Sequence, residues 1–329
     1  MVIPSSSTTV SMAISRYLDS VLLARSANTA RTYRNGMNVF QKVLRNHKMD
    51  PDKQPVQQLS EDVIVWLATA LKDGAPTTER LYLTTVSGFF EYLAAENLAT
   101  VNLARIKLLI RQRARRPGIR LPQFPREAID LILEKVDSLT TKAAEHPSER
   151  LRNLRDRSFL ITLADTGLRV HEACGLRRGD LDWHEGRAIV IGKGDRQAVV
   201  RFSNRANQAL NDYLKARAEL DGVAGRALTA LPLFARHDLG AGKKIKPITT
   251  ATGRNIVEER VKEFLGAEVA ERITPHSFRH YFVTRVLQRS GNLKLAQELA
   301  RHKNISVTQR YAHLSDNELD MGYHEVFEE

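Results

Sequence analysis

Cysteine is nearly absent from this sequence, with one residue, Cys174, among 329. A single thiol excludes an internal disulfide and a Cys-x-x-Cys metal site, and it suits a reducing cytosol. Long apolar runs are also missing, because the longest, Val63–Leu71, is too short to span a bilayer and is typical of a buried helix. The N-terminus lacks the charged-then-apolar pattern of a secretory signal. We therefore expect a cytoplasmic protein with no membrane association.

Acidic residues are missing from one short segment. Residues 105–126 contain eight Lys or Arg and no acid, whereas residues 1–104 contain ten against nine and residues 127–329 contain 32 against 29. Most of the net charge of +12 is thus concentrated in the segment. Counterion release from a phosphate backbone requires concentrated cations of this kind. The charge favours DNA or RNA binding, although a solubilising linker or a targeting signal has the same composition.

Apolar periodicity predicts a mainly α fold with a small antiparallel β-sheet. Segments Arg187–Ile191 and Gln197–Phe202 are rich in β-branched residues and flank Gly192–Asp195, which predicts a hairpin with Lys193 at its tip. Apolar residues at three- and four-residue spacing predict helices elsewhere. The predicted helices are Val10–Ala24, Thr29–Asn46, Glu61–Lys72, Thr78–Asn97, Arg126–Ala144, Arg150–Thr166, Asn204–Leu220, Thr250–Leu265, Pro275–Arg289, Leu293–Ala300 and Ser306–Tyr311.

Proline and charge divide the chain into four predicted parts. Pro122 and Pro125 follow the arginine-rich run and prevent one continuous helix there. We predict a helical domain at 1–104, a basic linker at 105–126 and a second domain at 127–315. The remaining residues, 316–329, form a tail with six acids and no Lys or Arg.

Two segments of the second domain contain candidate functional cations. In Thr166–Glu172, a helix ends at glycine and Arg169 and Glu172 then lie three apart, so on one helix face. Taken alone, this spacing also fits a surface ion pair. Lys193 has a glycine on each side, which allows the backbone to approach a ligand closely. A solvated lysine on a hairpin is the alternative.

Two further segments add histidines and a tyrosine. Thr274 and Pro275 predict the start of a helix that places His276 and Arg279 on one face, near an N-terminus that favours an anion. His276 and His280 have the spacing of zinc ligands, but serine stands where an HExxH helix has its glutamate. The last segment contains His302 and Tyr311, each of which alone is an ordinary surface or core residue.

Together and in this order, the four segments resemble the tyrosine recombinase/phage integrase family, which includes the Xer and Cre recombinases. The family pattern is T-G-x-R-x-x-E, a hairpin lysine, H-x-x-R, then L-G-H followed nine residues later by the tyrosine of Y-x-H. The 24 residues from Arg169 to Lys193 suit the Xer-like hairpin. Segments Asn28–Tyr33 and Ser87–Leu93 resemble the family's DNA-clasping helical domain. The matching positions are Arg169, Glu172, Lys193, His276, Arg279, His302 and Tyr311.

The resemblance implies an N-terminal SAM-like core-binding domain, a C-terminal tyrosine-recombinase catalytic domain and a site-specific recombinase. Such an enzyme cuts and rejoins DNA through a 3′-phosphotyrosyl intermediate and needs no metal, ATP or other cofactor. Tyr311 is then the nucleophile, and Arg169 and Arg279 bind the non-bridging phosphate oxygens. Lys193 is placed to protonate the departing 5′-oxygen.

The remaining roles and partners also follow from the resemblance. His276 and His302 donate hydrogen bonds, His276 is able to accept the tyrosine's proton, and Glu172 orients Arg169 or His276. The implied partners are double-stranded DNA with inverted repeats, three further copies of the chain in a tetramer, and accessory DNA-bending or directionality proteins on the nucleoid. The acidic tail is either a docking segment for a neighbouring copy or a solvated terminus. The expected DNA contacts are Thr29, Arg31, Arg111, Arg113, Arg115 and Arg116.

One position departs from the family pattern, and two other functions share its chemistry. Arg301 stands where the family has glycine, so its side chain either crowds the turn that places His302 or supplies another phosphate contact. A type IB topoisomerase uses the same arginines, lysine and tyrosine. A DNA-binding regulator that has lost catalysis is the second alternative, and the intact set with Tyr311 argues against it.

Overall fold

The computed structural model of the chain describes residues 8–115, 126–192, 196–238 and 245–309. These residues form two compact units, one up to residue 115 and one from residue 126. Each unit has its own buried apolar core. Within the described ranges, none of the helices is long and apolar enough to cross a membrane.

The first unit is helical, as its apolar periodicity predicts. Its core contains Phe40, Phe89 and Phe90, all fully buried. The hydroxyl of Tyr17 donates a hydrogen bond to the backbone oxygen of Thr85 at 3.1 Å, which ties the first helix to the fourth. The helices described in this unit are α1 Val10–Ala24, α2 Ala27–Asn46, α3 Val63–Ala70, α4 Pro76–Ala95 and α5 Leu103–Arg113.

Helix α5 occupies the start of the segment that was predicted to be a linker. Its Ile106 is fully buried in the core of the first unit. Beyond the helix, Arg115 folds back, and its Nε donates to Glu79 Oε2 at 2.5 Å. Residues 105–115 therefore belong to the first unit, because one apolar face of the basic helix is covered by α3 and α4. The rest of the predicted linker up to Pro125 lies outside the described residues.

The second unit combines helices with one small sheet, which confirms the predicted fold class. The predicted helix Asn204–Leu220 is divided in two near Arg217. The strands are β1 Leu181–Asp182, β2 Arg187–Gly192 and β3 Arg196–Arg201. The helices described are α6 Arg126–Lys135, α7 Pro147–Thr166, α8 Val170–Gly175, α9 Asn204–Ala216, α10 Ala218–Gly222, α11 Thr250–Leu265, α12 Ala267–Ala270, α13 Pro275–Ser290, α14 Leu293–Ala300 and α15 Ile305–Gln309.

The sheet is antiparallel in the order β1-β2-β3. Ala188 pairs with Val200 and Val190 pairs with Ala198, and the side chains of Ala188, Val190 and Val200 are buried against the core. The intervening Ile189 is exposed, as the alternation of a one-sided sheet requires. The predicted hairpin is therefore confirmed, while its tip at residues 193–195 lies outside the described residues.

Helix α7 packs against α9 and α13 and ends at the first sequence motif. Gly167 ends it in the left-handed region, at φ 59° and ψ 22°, and donates its N–H to Leu163 O at 3.3 Å. A Cβ at this position would also overlap the ring of Phe282. Glycine is thus needed both for the backbone conformation and for the close packing. The turn places Arg169 at the start of α8.

The buried carboxylate of Glu79 stabilises the first unit. Glu79 is completely buried, and its Oε1 accepts hydrogen bonds from Lys72 Nζ at 3.3 Å and from Arg115 N at 3.0 Å. Because Glu79→Gln leaves the Lys72 ammonium and the Arg115 guanidinium facing a neutral amide, we expect unfolding of the unit to require about 1–2 kcal/mol less.

Fluorescence-detected urea unfolding measures this loss. The chain has two tryptophans, Trp66 and Trp183, so a Trp183→Phe background reports on the first unit alone. The control is Glu96→Gln, which removes an exposed carboxylate just after α4 and should leave the midpoint unchanged. An unfolding midpoint for Glu79→Gln equal to that of the background contradicts the role given to this carboxylate.

Candidate active site

Arg169 and Glu172 begin helix α8 as a hydrogen-bonded pair. Glu172 Oε2 accepts from Arg169 N at 2.9 Å, and Oε1 accepts from Arg169 Nη1 at 3.0 Å. The carboxylate side chain is 2% exposed, whereas the arginine side chain is 42% exposed. A buried acid thus holds a cation that stays open to solvent, which differs from the surface ion pair that the spacing alone allowed.

Glu172 remains ionised despite its burial. Burial raises its pKa, but the positive charge of Arg301 and the hydrogen bonds from Arg169 outweigh that effect and bring the pKa below its ordinary value. Arg301 Nη2 donates to Glu172 Oε2 at 3.0 Å. The acid therefore serves two arginines from different parts of the chain.

Helix α13 begins as its sequence predicts. Thr274 precedes the helix in an extended conformation, Pro275 occupies its first position, and the N–H of Thr274 donates to Ser277 Oγ at 3.1 Å. His276 and Arg279 then lie on the same face of the first turn. The local sequence thus fixes the relative position of two predicted site residues.

Arg279 joins the ends of two helices. The residue is 3% exposed. Its Nη1 donates to the backbone oxygen of Gly167, and its Nη2 donates to the backbone oxygen of Ala300. These oxygens belong to the C-terminal ends of α7 and α14, where helix carbonyls lack intrahelical partners and carry partial negative charge. Arg279 therefore positions the first and last described motifs as well as contributing positive charge.

One cavity of the second unit brings three of the seven predicted catalytic residues together. Arg169, His276 and Arg279 all line a cavity of about 550 Å³. Arg254 and Glu258 of helix α11 line it too, although no motif in the sequence indicated them. They reach it because α11 packs on α8, a tertiary contact that periodicity does not reveal.

The histidines around the arginines are neutral at pH 7. Burial, followed by the charges of Arg279 and Arg169, lowers the pKa of His276. Burial, His276 and Arg279 lower the pKa of His280 to about 4. The two rings contact edge to face, with centroids 4.4 Å apart. No group of three or more metal-ligating side chains occurs in the described ranges, and the adjacent arginines disfavour a zinc ion.

His302 follows α14 in a turn that its neighbours hold. Its N–H donates to Gln297 O at 3.0 Å, its backbone oxygen accepts from Gln297 Nε2 at 3.0 Å, and its Nδ1 lies 2.9 Å from Thr308 Oγ1. Burial, then Arg279 and Arg169, lowers its pKa to about 4. This dependence on both arginines places His302 in the same electrostatic environment as His276.

Arg301 adopts the conformation that the family's glycine favours. Its φ of 56° and ψ of 43° lie in the left-handed region, so the side chain does not prevent the turn that precedes His302. The guanidinium points inward, with 12% of the side chain exposed, and pairs with Glu172. The turn therefore forms despite the side chain, while the expected phosphate contact of Arg301 stays a prediction.

The remaining predicted site residues either belong to the first unit or lie outside the described residues. Lys193, Tyr311 and Arg116 lie outside the described residues. Arg115 is engaged within the first unit through Glu79. The other expected DNA contacts are partly or fully exposed: Thr29 and Arg31 in the first turns of α2, and Arg111 and Arg113 in the last turn of α5.

Two sequence families match the two units. The phage integrase family matches residues 133–318, and the phage integrase N-terminal SAM-like domain matches residues 14–97. The chain is 32% identical over 309 residues to "Tyrosine recombinase XerC" of Thermodesulfovibrio yellowstonii, covering 92% of this chain and 91% of that protein. It is 29% identical over 316 residues to "Tyrosine recombinase XerD" of Mycobacterium tuberculosis, covering 92% and 93%.

Solved structures share the fold. A post-cleavage complex of XerH recombinase with palindromic difH DNA has a TM-score of 0.67 and 18% identity, covering 100% of this chain and 99% of that one. The Tn1549 transposon integrase with a circular intermediate DNA has a TM-score of 0.65 and 18% identity, covering 97% and 100%. At these identities the likeness concerns the fold.

The depressed histidine pKa values make the second unit sensitive to acid. In an unfolded chain histidine has a pKa of about 6.5, whereas His280 and His302 have values of about 4. Between these values the unfolded state binds more protons, so the free energy of unfolding falls as the pH is lowered from about 6.5 to about 4. The contribution is fully present above pH 6.5.

Unfolding at several pH values tests this effect. In a Trp66→Phe background, Trp183 fluorescence reports on the second unit. We expect His280→Gln to show a smaller loss of unfolding free energy between pH 7 and pH 5 than the background protein. Identical losses in the two proteins contradict the assignment of a depressed pKa to His280.

Proposed function

The chain belongs to the phage integrase family, and from this premise we propose that Tyr311 attacks a DNA phosphodiester held by Arg169 and Arg279. The similarity to XerC and XerD recombinases over nine-tenths of the chain makes it a tyrosine-type site-specific recombinase, which cleaves and rejoins DNA. The observation that carries the residue assignment is the cavity lined jointly by Arg169, His276 and Arg279.

The arginines address the negative charge of the phosphate. A phosphodiester displacement shifts charge onto the non-bridging oxygens, and guanidinium groups form paired, charge-assisted hydrogen bonds with such oxygens. The side chain of Arg169 is partly exposed to solvent, and its backbone N–H donates a hydrogen bond to Glu172. Arg279 adds positive charge at the cavity wall, while its bonds to Gly167 and Ala300 fix the surrounding backbone. Loss of one such group typically slows a reaction on the order of 100–1,000-fold.

Proton transfer completes the reaction. The phenolic oxygen of Tyr311 forms a bond to phosphorus while the bond from phosphorus to the 5′-oxygen breaks. Neutral His276 accepts the phenol's proton, since its lowered pKa keeps the imidazole unprotonated at pH 7. Lys193 donates a proton to the departing 5′-oxygen. The 3′-phosphotyrosyl bond conserves the energy of the phosphodiester, so attack by a 5′-hydroxyl rejoins the strand by the reverse steps.

The full substrate is double-stranded DNA carrying inverted repeats. Two of these sites require four copies of the chain, which assemble as a tetramer and exchange strands in pairs. Accessory DNA-bending or directionality proteins select the outcome, and the enzyme works on the nucleoid in the cytoplasm. Support for DNA as the partner comes from the related structures solved on DNA recombination sites.

A covalent trapping experiment tests the nucleophile. On DNA nicked close to the cleavage position, the short 5′-hydroxyl fragment diffuses away and the protein remains attached. We expect the parent protein and Tyr323→Phe to form this complex and Tyr311→Phe to form none. A covalent complex formed by Tyr311→Phe contradicts the assignment.

Strand exchange between two sites, rather than relaxation of one supercoiled circle, distinguishes recombination from topoisomerase activity.

Salt dependence tests the contribution of helix α5 to DNA binding. Arg111 and Arg113 are exposed, so each one that binds a phosphate contributes about one unit to the slope of log K against log salt concentration. We expect Arg111→Ala and Arg113→Ala each to reduce this slope by about one. Lys53→Ala is the control, because this exposed lysine of the first unit is not among the expected DNA contacts. Slopes unchanged in the first two variants contradict the proposed contacts.

A further inference from the structure

The backbone at Arg301 is in the left-handed conformation, which is unfavourable for a residue that has a Cβ. At φ 56° and ψ 43°, Cβ crowds the following carbonyl oxygen, and glycine is the residue that avoids this contact. The turn nevertheless closes, with Arg301 N donating to Glu298 O at 3.0 Å. An arginine kept at a position better suited to glycine indicates that its side chain contributes something beyond the turn.

The side chain of Arg301 is largely buried. Only 12% of it is exposed, and burial lowers its pKa, an effect that the negative charge of Glu172 opposes. Within the described residues, its buried Nε and Nη1 have no hydrogen-bond partner, although buried donors in proteins are nearly always paired. The ion pair between Nη2 and Glu172 Oε2, at 3.0 Å, is therefore the interaction that orients the guanidinium.

Glu172 connects this side chain to Arg169. The same Oε2 that accepts from Arg301 also accepts from the N–H of Arg169, and Oε1 accepts from the guanidinium of Arg169. His302 directly follows Arg301 in the same turn. The bond from Arg301 to Glu172 therefore connects this turn to α8, although the two bonded residues are 129 positions apart in the sequence. Displacement of Arg301 releases one of the carboxylate's two anchors.

We propose that Arg301 is a positioning residue for strand cleavage, which holds Glu172 so that Arg169 and His302 keep a fixed relative geometry. The proposal rests on the proposed function, since it assigns Arg301 to the same reaction. Arg301 acts through Glu172 and makes no contact with DNA. Both groups that it positions contribute to the environment of the phosphate, and small displacements of such groups reduce rates strongly.

Variants at residue 301 separate positioning from folding and from DNA contact. Arg301→Met keeps the length and the left-handed strain but removes the charge, and Arg301→Lys keeps a charge that can reach Glu172. With DNA saturating, we expect Arg301→Met to form the covalent complex 10- to 100-fold more slowly than the parent. We expect Arg301→Lys to remain within about threefold of the parent, and Arg301→Gly, which relieves the backbone, to be as slow as Arg301→Met.

DNA affinity and a double-mutant cycle complete the test. Arg301→Met should bind DNA within twofold of the parent and with the same salt slope, because a positioning residue neutralises no phosphate. In a Glu172→Gln background, Arg301→Met should cause little further loss of rate, since the two substitutions break the same connection.

Three results overturn the inference. They are a parent-like cleavage rate in Arg301→Met, a salt slope reduced by about one unit, and rate losses that multiply in the double variant. The first of these leaves the proposed function intact. By contrast, a parent protein that forms no covalent complex contradicts the proposed function itself, so the two failures are distinguishable.

Discussion

The arrangement of the site in the second unit depends on the ion pairs that buried Glu172 forms with Arg169 and Arg301. A binding site for a phosphate must gather positive charges that repel one another when the phosphate is absent. Glu172 lies between Arg169 and Arg301, accepts hydrogen bonds from both and stays ionised because they surround it. The acid thereby stabilises a cationic site in the free protein while leaving Arg169 exposed to a ligand.

The remaining features of the site follow from this concentration of charge. Arg279 is accommodated in the interior because helix-end carbonyls of Gly167 and Ala300 accept its N–H groups. The histidines are held neutral because burial and the neighbouring cations both oppose their protonation. A neutral imidazole beside two arginines is suited to accept a proton from a phenol, whereas an imidazolium is not.

Local sequence rules predicted more of this molecule than charge did. The glycine that ends α7, the Thr-Pro start of α13 and the hairpin of β2 and β3 were all predictable, because each depends on residues within a few positions. The sequence predicts a linker where most of α5 lies, because arginines dominate this segment. The apolar core that covers Ile106 is formed by residues distant in the sequence, so the segment alone does not reveal it. The pairing of Arg301 with Glu172 was likewise hidden, since 129 residues separate them.

We propose that side chains from separate motifs surround one phosphorus atom bonded to Tyr311. A crystal structure of the full chain trapped covalently on nicked DNA tests it most directly. We predict a phosphotyrosine at Tyr311 whose non-bridging oxygens lie within hydrogen-bonding distance of Arg169 and Arg279, with His276 and His302 in contact with the same group. A phosphate bonded to another residue, or one held at Tyr311 far from both arginines, contradicts the account.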